Sequence, residues 1–494
     1  MTQQDSSICM VGLGVMGKSL TLNLIDNGYS VVGFDRNAEN IAKTHREART
    51  LDNLTGFVPA HSFEALVAQS KSPRIVFLSV PAGHIVDDVV QALIQAGLTN
   101  EDIVIDTGNS LWTDSCSREV RYSGKVKFFT TAVSGGEQGA RFGPSLMPSG
   151  DKQVWEFVRP ILQSISAKYS DSVTFNVNSN VSPCCEYIGP VGSGHYVKMV
   201  HNGIEYADMQ LICEAYQLMK DGMGLTTNEI ADTFEQWSHT TLSSYLLEIS
   251  ADILRQNDPK SGQPFVDMVL DTAQQKGTGL WTAVNSLELG CPAPSLSEAV
   301  FARAISARKP LRASFQKNYL KQKLKSPERS LTAQTLGDAL LCAKIAIYAQ
   351  GFDLIRTAAL EQNWDLNFAG IANIWRAGCI IRAEILRLIS NAYNQDPVLE
   401  NLMLASDIKK LIEAREVRWR KTIGFAIESA IPTPVLTSSL NYFDSMCCSA
   451  LPANLLQAQR DYFGAHGYQR VDETESKTFH LTWELENRQE VEIP

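Results

Sequence analysis

The sequence predicts an α/β domain with a doubly wound parallel sheet, then a large all-helical domain and a small C-terminal tail. Three observations predict it. From Ser7 to about Asn178, short β-rich apolar runs alternate with helix-length amphipathic segments. Residues 195–440 carry long stretches of helical periodicity, and from about Ser438 the chain turns polar, acidic and poorly periodic. The expected boundaries are 1–179, 180–440 and 441–494. A chain of 494 residues is too long for a single core, and about three domains is the ordinary expectation.

The composition is that of a globular protein, 44% hydrophobic and 20% charged. A formal net charge of −10 argues against nucleic acid or an anionic membrane as partner. Ten cysteines without C-x-x-C spacing suit a reduced, cytoplasmic chain. The opening "MTQQDSSICMVGLG" shows neither a basic nor an apolar signal region, and no run approaches the length of a membrane span. No H-x-x-x-H pair or cysteine cluster predicts a metal.

The first five strands are read from "SICMVG", "SVVGFD", "RIVFLSV", "DIVIDTGNS" and "KVKFFTTAV", each as a buried parallel strand. Between the first strand and the following helix lies "VGLGVMG", which is Gly12-x-Gly14-x-x-Gly17. The first glycine permits a tight turn, the second lets backbone approach a pyrophosphate, and the third allows helix to pack on strand. A helix N-terminus then faces the negative charge. This predicts a Rossmann-like dinucleotide site at Gly12, Leu13, Gly14, Val15, Met16 and Gly17.

The second strand ends at Asp35, where an acid ordinarily holds ribose hydroxyls, and Arg36 and Asn37 follow. Arg36 could hold a 2′-phosphate instead, but a carboxylate about 4 Å from that phosphate costs roughly 1–4 kcal/mol. This pair leaves NADP and NAD open.

"AVSGGEQGARFGPSLMPSG", residues 132–150, reads as a loop after the last strand, with Ser134, Gly135 and Gly136 at the sheet edge where ligands bind. In the helical region, "GSGHYVKMVHNGIEYADMQ" places Lys198, His201, Asn202 and Glu205 within roughly a quarter to a third of a helix circumference. Val197, Val200, Ile204, Ala207 and Leu211 take the other side. The stripe is either a solvated face or the edge of an active site. Lys276, Thr278 and Arg303 could together hold a phosphate monoester, although a lone Lys or Arg is ordinarily a solvated charge. Arg460 and His466 lie six residues apart in "LLQAQRDYFGAHGY", and an interface edge fits them equally.

Together "GLGVMG", "DTGNS", "VSGGEQGARFGPSLMP", "GSGHYVKMVHNGIEYADMQLI", "QKGTG", "IWRAGCIIR" and "QAQRDYFGAH" make the chain resemble the 6-phosphogluconate dehydrogenase family over nearly its entire length. The resemblance implies oxidative decarboxylation of 6-phosphogluconate to ribulose 5-phosphate and CO₂ in the pentose phosphate pathway, with NADP as cofactor. It implies Lys198 as the general base and Glu205 as the general acid. Asn109, Ser134, Gly135, Gly136, His201 and Asn202 would hold the sugar acid. Tyr206, Lys276, Thr278 and Arg303 would bind the 6-phosphate, joined by Arg460 and His466 of the second subunit of a homodimer. Val80, Pro81, Ala82 and Asn109 would join the cofactor site.

Four departures stand out: Asp35-Arg36-Asn37 for Asn-Arg-Thr, Pro81 for Lys, Gly14 for a common Ala, and Leu280 for Lys. The first two weaken strict NADP use and admit an NAD-preferring enzyme, while Arg36 keeps NADP the expectation. The rival readings are a β-hydroxyacid dehydrogenase without decarboxylation, which would not need the phosphate residues, and a non-catalytic nucleotide sensor, which would not need Lys198 and Glu205.

Overall fold

The computed structural model describes residues 7–51, 56–170, 181–275, 277–319, 331–473 and 476–493. By its contacts the chain divides into two compact units, 1–440 and 441–494.

In the first unit, strands β1 (Ile8–Val11), β2 (Val31–Phe34), β3 (Phe57–Pro59), β4 (Ile75–Leu78), β5 (Ile103–Asp106), β6 (Lys127–Ser134) and β7 (Ser145–Ser149) form one sheet. Its order is β3-β2-β1-β4-β5-β6-β7. The first six strands run parallel and β7 is antiparallel to β6. Side chains alternate between two cores, Ile8 and Met10 on one face of the sheet, Cys9 and Val11 on the other. Burial on both faces is why these strands read as continuous apolar runs.

Two strands escaped the sequence. β3 has only three residues. The stretch 132–150 is not a plain loop: it holds the end of β6, the helix Gly136–Phe142 and β7. "SLMPS" lacks β-branched residues and contains Pro148, which a strand tolerates at a sheet edge such as this one.

Strand order reverses at β1, which has β2 on one side and β4 on the other, so the turns after β1 and β4 open a crevice between them. Gly12 takes φ +91° there, and a Cβ on Gly17 would lie 1.8 Å from the Gly12 carbonyl oxygen. Only glycine at both positions lets the helix Val15–Asp26 start this close to the strand.

The helical part begins with the 25-residue helix Ser193–Gln217, buried on nearly all sides. Ser149 of β7 receives the Gly194 N–H at 3.0 Å, and the Met199 carbonyl receives the Thr282 hydroxyl at 2.8 Å. Gly203 faces Thr282, and Gly351 of the helix Ala333–Glu361 faces Ile204, with no room for a Cβ at either. Within the helically periodic region, residues 226–255 form two helices, Thr227–Trp237 and Tyr245–Arg255. Thr226 and Glu229 form a capping box on the first, and the Ser244 hydroxyl caps the second.

The second unit is more ordered than its composition suggests. The helix Ala453–Gly464 is followed by an antiparallel pair, Thr478–Leu481 with Glu490–Ile493. Buried Asp461 organises them. Its carboxylate accepts the N–H groups of Gly467 (3.0 Å) and Leu481 (3.1 Å) and the indole N–H of Trp483 (2.9 Å), and it lies 2.8 Å from His480 Nδ1. Among the described residues no helix is long and apolar enough to cross a membrane.

Candidate active site

A cleft of 870 Å³ in the first unit joins the turns after β1, β4, β5 and β6 to the Ser193–Gln217 helix. The glycine turn supplies Gly14, Val15 and Met16; the turn after β4 supplies Val80, Pro81 and Ala82; Asn109 follows β5. Ser134, Gly135 and Gly136 stand at the end of β6, and Lys198, Asn202, Glu205 and Tyr206 line the helix side. Thr278 and Arg303 complete the set from two further helices.

The polar stripe therefore faces the cleft, not solvent. His201 differs: it is fully buried behind the lining, edge-on to Trp375 at 5.3 Å. Gly12 and Leu13 lie within the turn, Gly17 in the first turn of the helix Val15–Asp26, and Asp35, Arg36 and Asn37 follow β2 outside the cleft lining. Lys276 lies outside the described residues. Arg460 and His466 belong to the second unit, both exposed, flanking Asp461. Arg460 donates to Gln457 Oε1 at 3.3 Å, and His466 sits edge-on to Phe463.

Lys198 is the centre of a buried network. Its Nζ lies 3.0 Å from Ser134 Oγ, 2.8 Å from Asn202 Oδ1 and 3.4 Å from His201 Nδ1. An ammonium has three hydrogens and finds three acceptors here. A neutral amine would give two and keep a lone pair for the cleft. Burial pulls the Lys198 amine below its ordinary value, against the opposing charge of Glu205. His201 is held well below an ordinary imidazole, first by burial and then by the Lys198 charge, so it stays neutral. With Nδ1 accepting from Lys198, its Nε2–H donates to Ser134 Oγ at 3.3 Å.

Glu205 sits one turn further along, its Oε2 3.8 Å from His201 Nδ1. Burial raises its carboxyl above the usual range, and the charges of Lys198 and Arg303 act against that. An amine moved down and a carboxyl moved up in one cleft are suited to exchanging protons near neutral pH. Beyond them, the Arg303 guanidinium lies 3.5 Å over the Tyr206 ring and donates to the Gln274 carbonyl at 3.1 Å.

The glycine turn fits a dinucleotide. A Cβ on Gly14 would meet nothing within 4 Å, so backbone is open to the cleft where the helix Val15–Asp26 begins without a side-chain cap. Asp35 is engaged by the turn itself: Oδ2 accepts the Leu13 N–H and Oδ1 the Asn37 N–H, both at 2.7 Å. Arg36 is exposed and makes no hydrogen bond or ion pair with the described residues. No group of three His, Cys, Asp or Glu among the described residues is placed to hold a metal ion.

Several lining residues were not anticipated. Met209 continues the stripe at i+4 from Glu205, and Trp281 follows Thr278 at i+3, so both were within reach of periodicity. As apolar residues on helices, both pass for core. Gln274 and Ile380 reach the cleft only through the folding of distant segments.

Residues 7–189 match the family model described as the NAD binding domain of 6-phosphogluconate dehydrogenase, and residues 194–483 its C-terminal domain. The chain is 45% identical over 478 residues to the decarboxylating 6-phosphogluconate dehydrogenase of Aggregatibacter actinomycetemcomitans, covering 96% of each chain. It is 44% identical over 480 residues to the NADP(+)-dependent decarboxylating enzyme of Bacillus subtilis, covering 96% of this chain and 98% of that one. A solved structure of Plasmodium falciparum 6-phosphogluconate dehydrogenase, described as apo and in complexes with NADP+ and with 6-phosphogluconate, superposes with a TM-score of 0.90 at 39% identity. That match covers 97% of this chain and all of the other. The two family models together account for sheet, helices and most of the tail, and the chain belongs to the 6-phosphogluconate dehydrogenase family.

Proposed function

We propose that the protein oxidises and decarboxylates 6-phospho-D-gluconate to D-ribulose 5-phosphate and CO₂, with NADP as hydride acceptor. The observation that carries this reading is the buried Lys198 network beside Glu205, opening into the same cleft as the glycine turn. The turn of Gly12, Gly14 and Gly17 would hold the nicotinamide cofactor, which would supply the hydride acceptor for C3 of the sugar acid. Lys198, as the neutral amine, takes the C3 hydroxyl proton as that hydride departs. The resulting Lys198 ammonium holds the C3 carbonyl oxygen. The carboxylate, now β to a ketone, leaves as CO₂ while its bonding electrons pass into the carbonyl, which receives the proton back from Lys198. Glu205 then delivers a proton to C1 of the enediol while the neutral Lys198 amine takes the enol hydroxyl proton, giving the ketose. Ser134, Asn202, Asn109, Gly135 and Gly136 orient the sugar acid, and His201 acts from behind, holding Ser134 and Lys198.

Tyr206, Thr278, Arg303 and Lys276 would take the 6-phosphate, supported by the guanidinium and hydroxyl-bearing groups gathered at that end of the cleft. Arg460 and His466 of a second subunit would complete that set in a homodimer. Exposed apolar side chains on neighbouring helices, among them Phe301, Ile305, Leu311 and Phe315, support a buried interface. Ten free thiols suit a reduced, cytoplasmic setting, in which the enzyme would serve the pentose phosphate pathway. The functional division is a dinucleotide domain, 1–179, a substrate and dimerisation domain, 180–440, and a tail, 441–494.

Asp35 favours a second reading, NAD preference. Its carboxylate, held by two backbone N–H groups, would accept ribose hydroxyls and repel a 2′-phosphate, against the exposed Arg36. Initial rates crossing 6-phosphogluconate and gluconate with NADP and NAD, following reduced nicotinamide and CO₂, test both. Fast CO₂ release from the phosphorylated acid with NADP is the expected result. Equal turnover of gluconate would sink the phosphate site, and a strong NAD preference would make Asp35 the dominant group.

A further inference from the structure

Buried beside the cleft is an arginine that none of the proposed chemistry uses. Arg118, in the helix Trp112–Tyr122, is 2% exposed. Its Nη2 donates to the Gly83 carbonyl at 2.7 Å, and Nη2 and Nε both reach Asp87 Oδ2, at 3.0 and 3.1 Å. Its Nη1 lies 3.5 Å from Ser110 Oγ and 3.7 Å from Asp106 Oδ2.

These partners belong to two different cleft walls. Gly83 ends the turn after β4, which presents Val80, Pro81 and Ala82. Asp106 and Ser110 bracket the turn after β5, which presents Gly108 and Asn109. Asp106 passes the restraint on, accepting the Gly108 N–H at 2.9 Å and the Ser110 hydroxyl at 2.6 Å. The same helix also touches the base-bearing helix: Ser115 Oγ lies 2.7 Å from Nδ1 of buried His195, one turn before Lys198.

We propose that Arg118 is a positioning residue for the reaction. It ties the turn after β4 to the turn after β5, and its helix ties both to the helix carrying Lys198. The inference rests on the dehydrogenase reading above, in which hydride donor, acceptor and base must be held in one geometry. A planar guanidinium suits the task because its nitrogens point along several fixed directions, which a lysine's single ammonium cannot reproduce. Without it, buried Asp106 loses its counter-charge, half-buried Asp87 keeps only that of Arg121, and nothing links the two turns through a shared cation. A misplacement of about 1 Å at this distance from the chemistry can cost about a hundredfold in rate.

The test uses full-length Arg118→Lys and Arg118→Gln, with NADPH binding counting folded sites. Per folded site we expect kcat to fall about 10- to 100-fold and the KM for NADP to rise about tenfold, while the KM for 6-phosphogluconate stays within about threefold. Deuterium at C3 of the substrate should give a larger isotope effect on kcat than in the wild type, because hydride transfer becomes the slow step. A role confined to the fold would lower Tm and leave all of these per-site values within about twofold, which overturns the proposal. If neither variant folds, Asp87→Asn keeps the shape and weakens one anchor. A rise of about threefold or more in the KM for NADP then supports the proposal, and an unchanged value rejects it. A wild-type enzyme without NADP- or NAD-linked turnover of 6-phosphogluconate would instead defeat the dehydrogenase reading itself.

Discussion

Lys198 and Glu205 act on each other, and their coupling has a sign. Burial lowers the Lys198 amine and Glu205 opposes it, so the two titrate as a pair. Glu205→Gln removes the opposing negative charge, and Lys198 then falls further below its ordinary value. As the proposed base, Lys198 is inactive when protonated, so the acid-side limb of the remaining kcat/KM should move to lower pH. A pH profile of residual turnover checks this, and a limb that stays put or moves up would show that Glu205 does not face Lys198. The rate itself should drop about 10²- to 10⁴-fold, the usual loss with a general acid.

At the scale of elements, the site depends on close approach. Gly279 lies inside the helix Thr278–Glu288, where alanine is ordinarily better by about 1 kcal/mol. Here a Cβ would stand 2.4 Å from the Tyr206 ring, which also lies under Arg303. Gly279→Ala must therefore displace Tyr206. We expect the KM for 6-phosphogluconate to rise about tenfold with the KM for NADP little changed. Equal increases in both would mean a general disturbance of the helix instead. β7 matters for the same reason, since it docks the start of the Ser193–Gln217 helix through Ser149 and Gly194. An unremarkable "SLMPS" thus sets the height of Lys198 in the cleft.

For the whole molecule, the proposed homodimer with shared sites predicts complementation. A Lys198→Met dimer and an Arg460→Ala dimer should each be poor, for different reasons. Mixed and allowed to exchange, they form heterodimers with one intact site, a statistical ceiling of about 25% of wild-type activity. No recovery on exchange, with heterodimers present by mass, would place Arg460 outside the partner's site. Much of the molecule was legible beforehand. Short continuous apolar runs marked β1, β2, β4, β5 and β6, the glycine spacing marked the turn, and a stripe of Lys198, Asn202 and Glu205 marked the cleft side of its helix, because local backbone geometry fixes those patterns. The depth of His201, the reach of Ile380 and Gln274, the edge strand β7 and the Arg118 clamp were not legible. Each depends on segments far apart in sequence, and burial and hydrogen-bond partners exist only once those segments pack. The sequence by itself determined where the glycine turn lies and which face of the Ser193–Gln217 helix meets the cleft. The tertiary structure decided the setting of Lys198 and Glu205, since burial in the folded cleft moves the amine down and the carboxyl up.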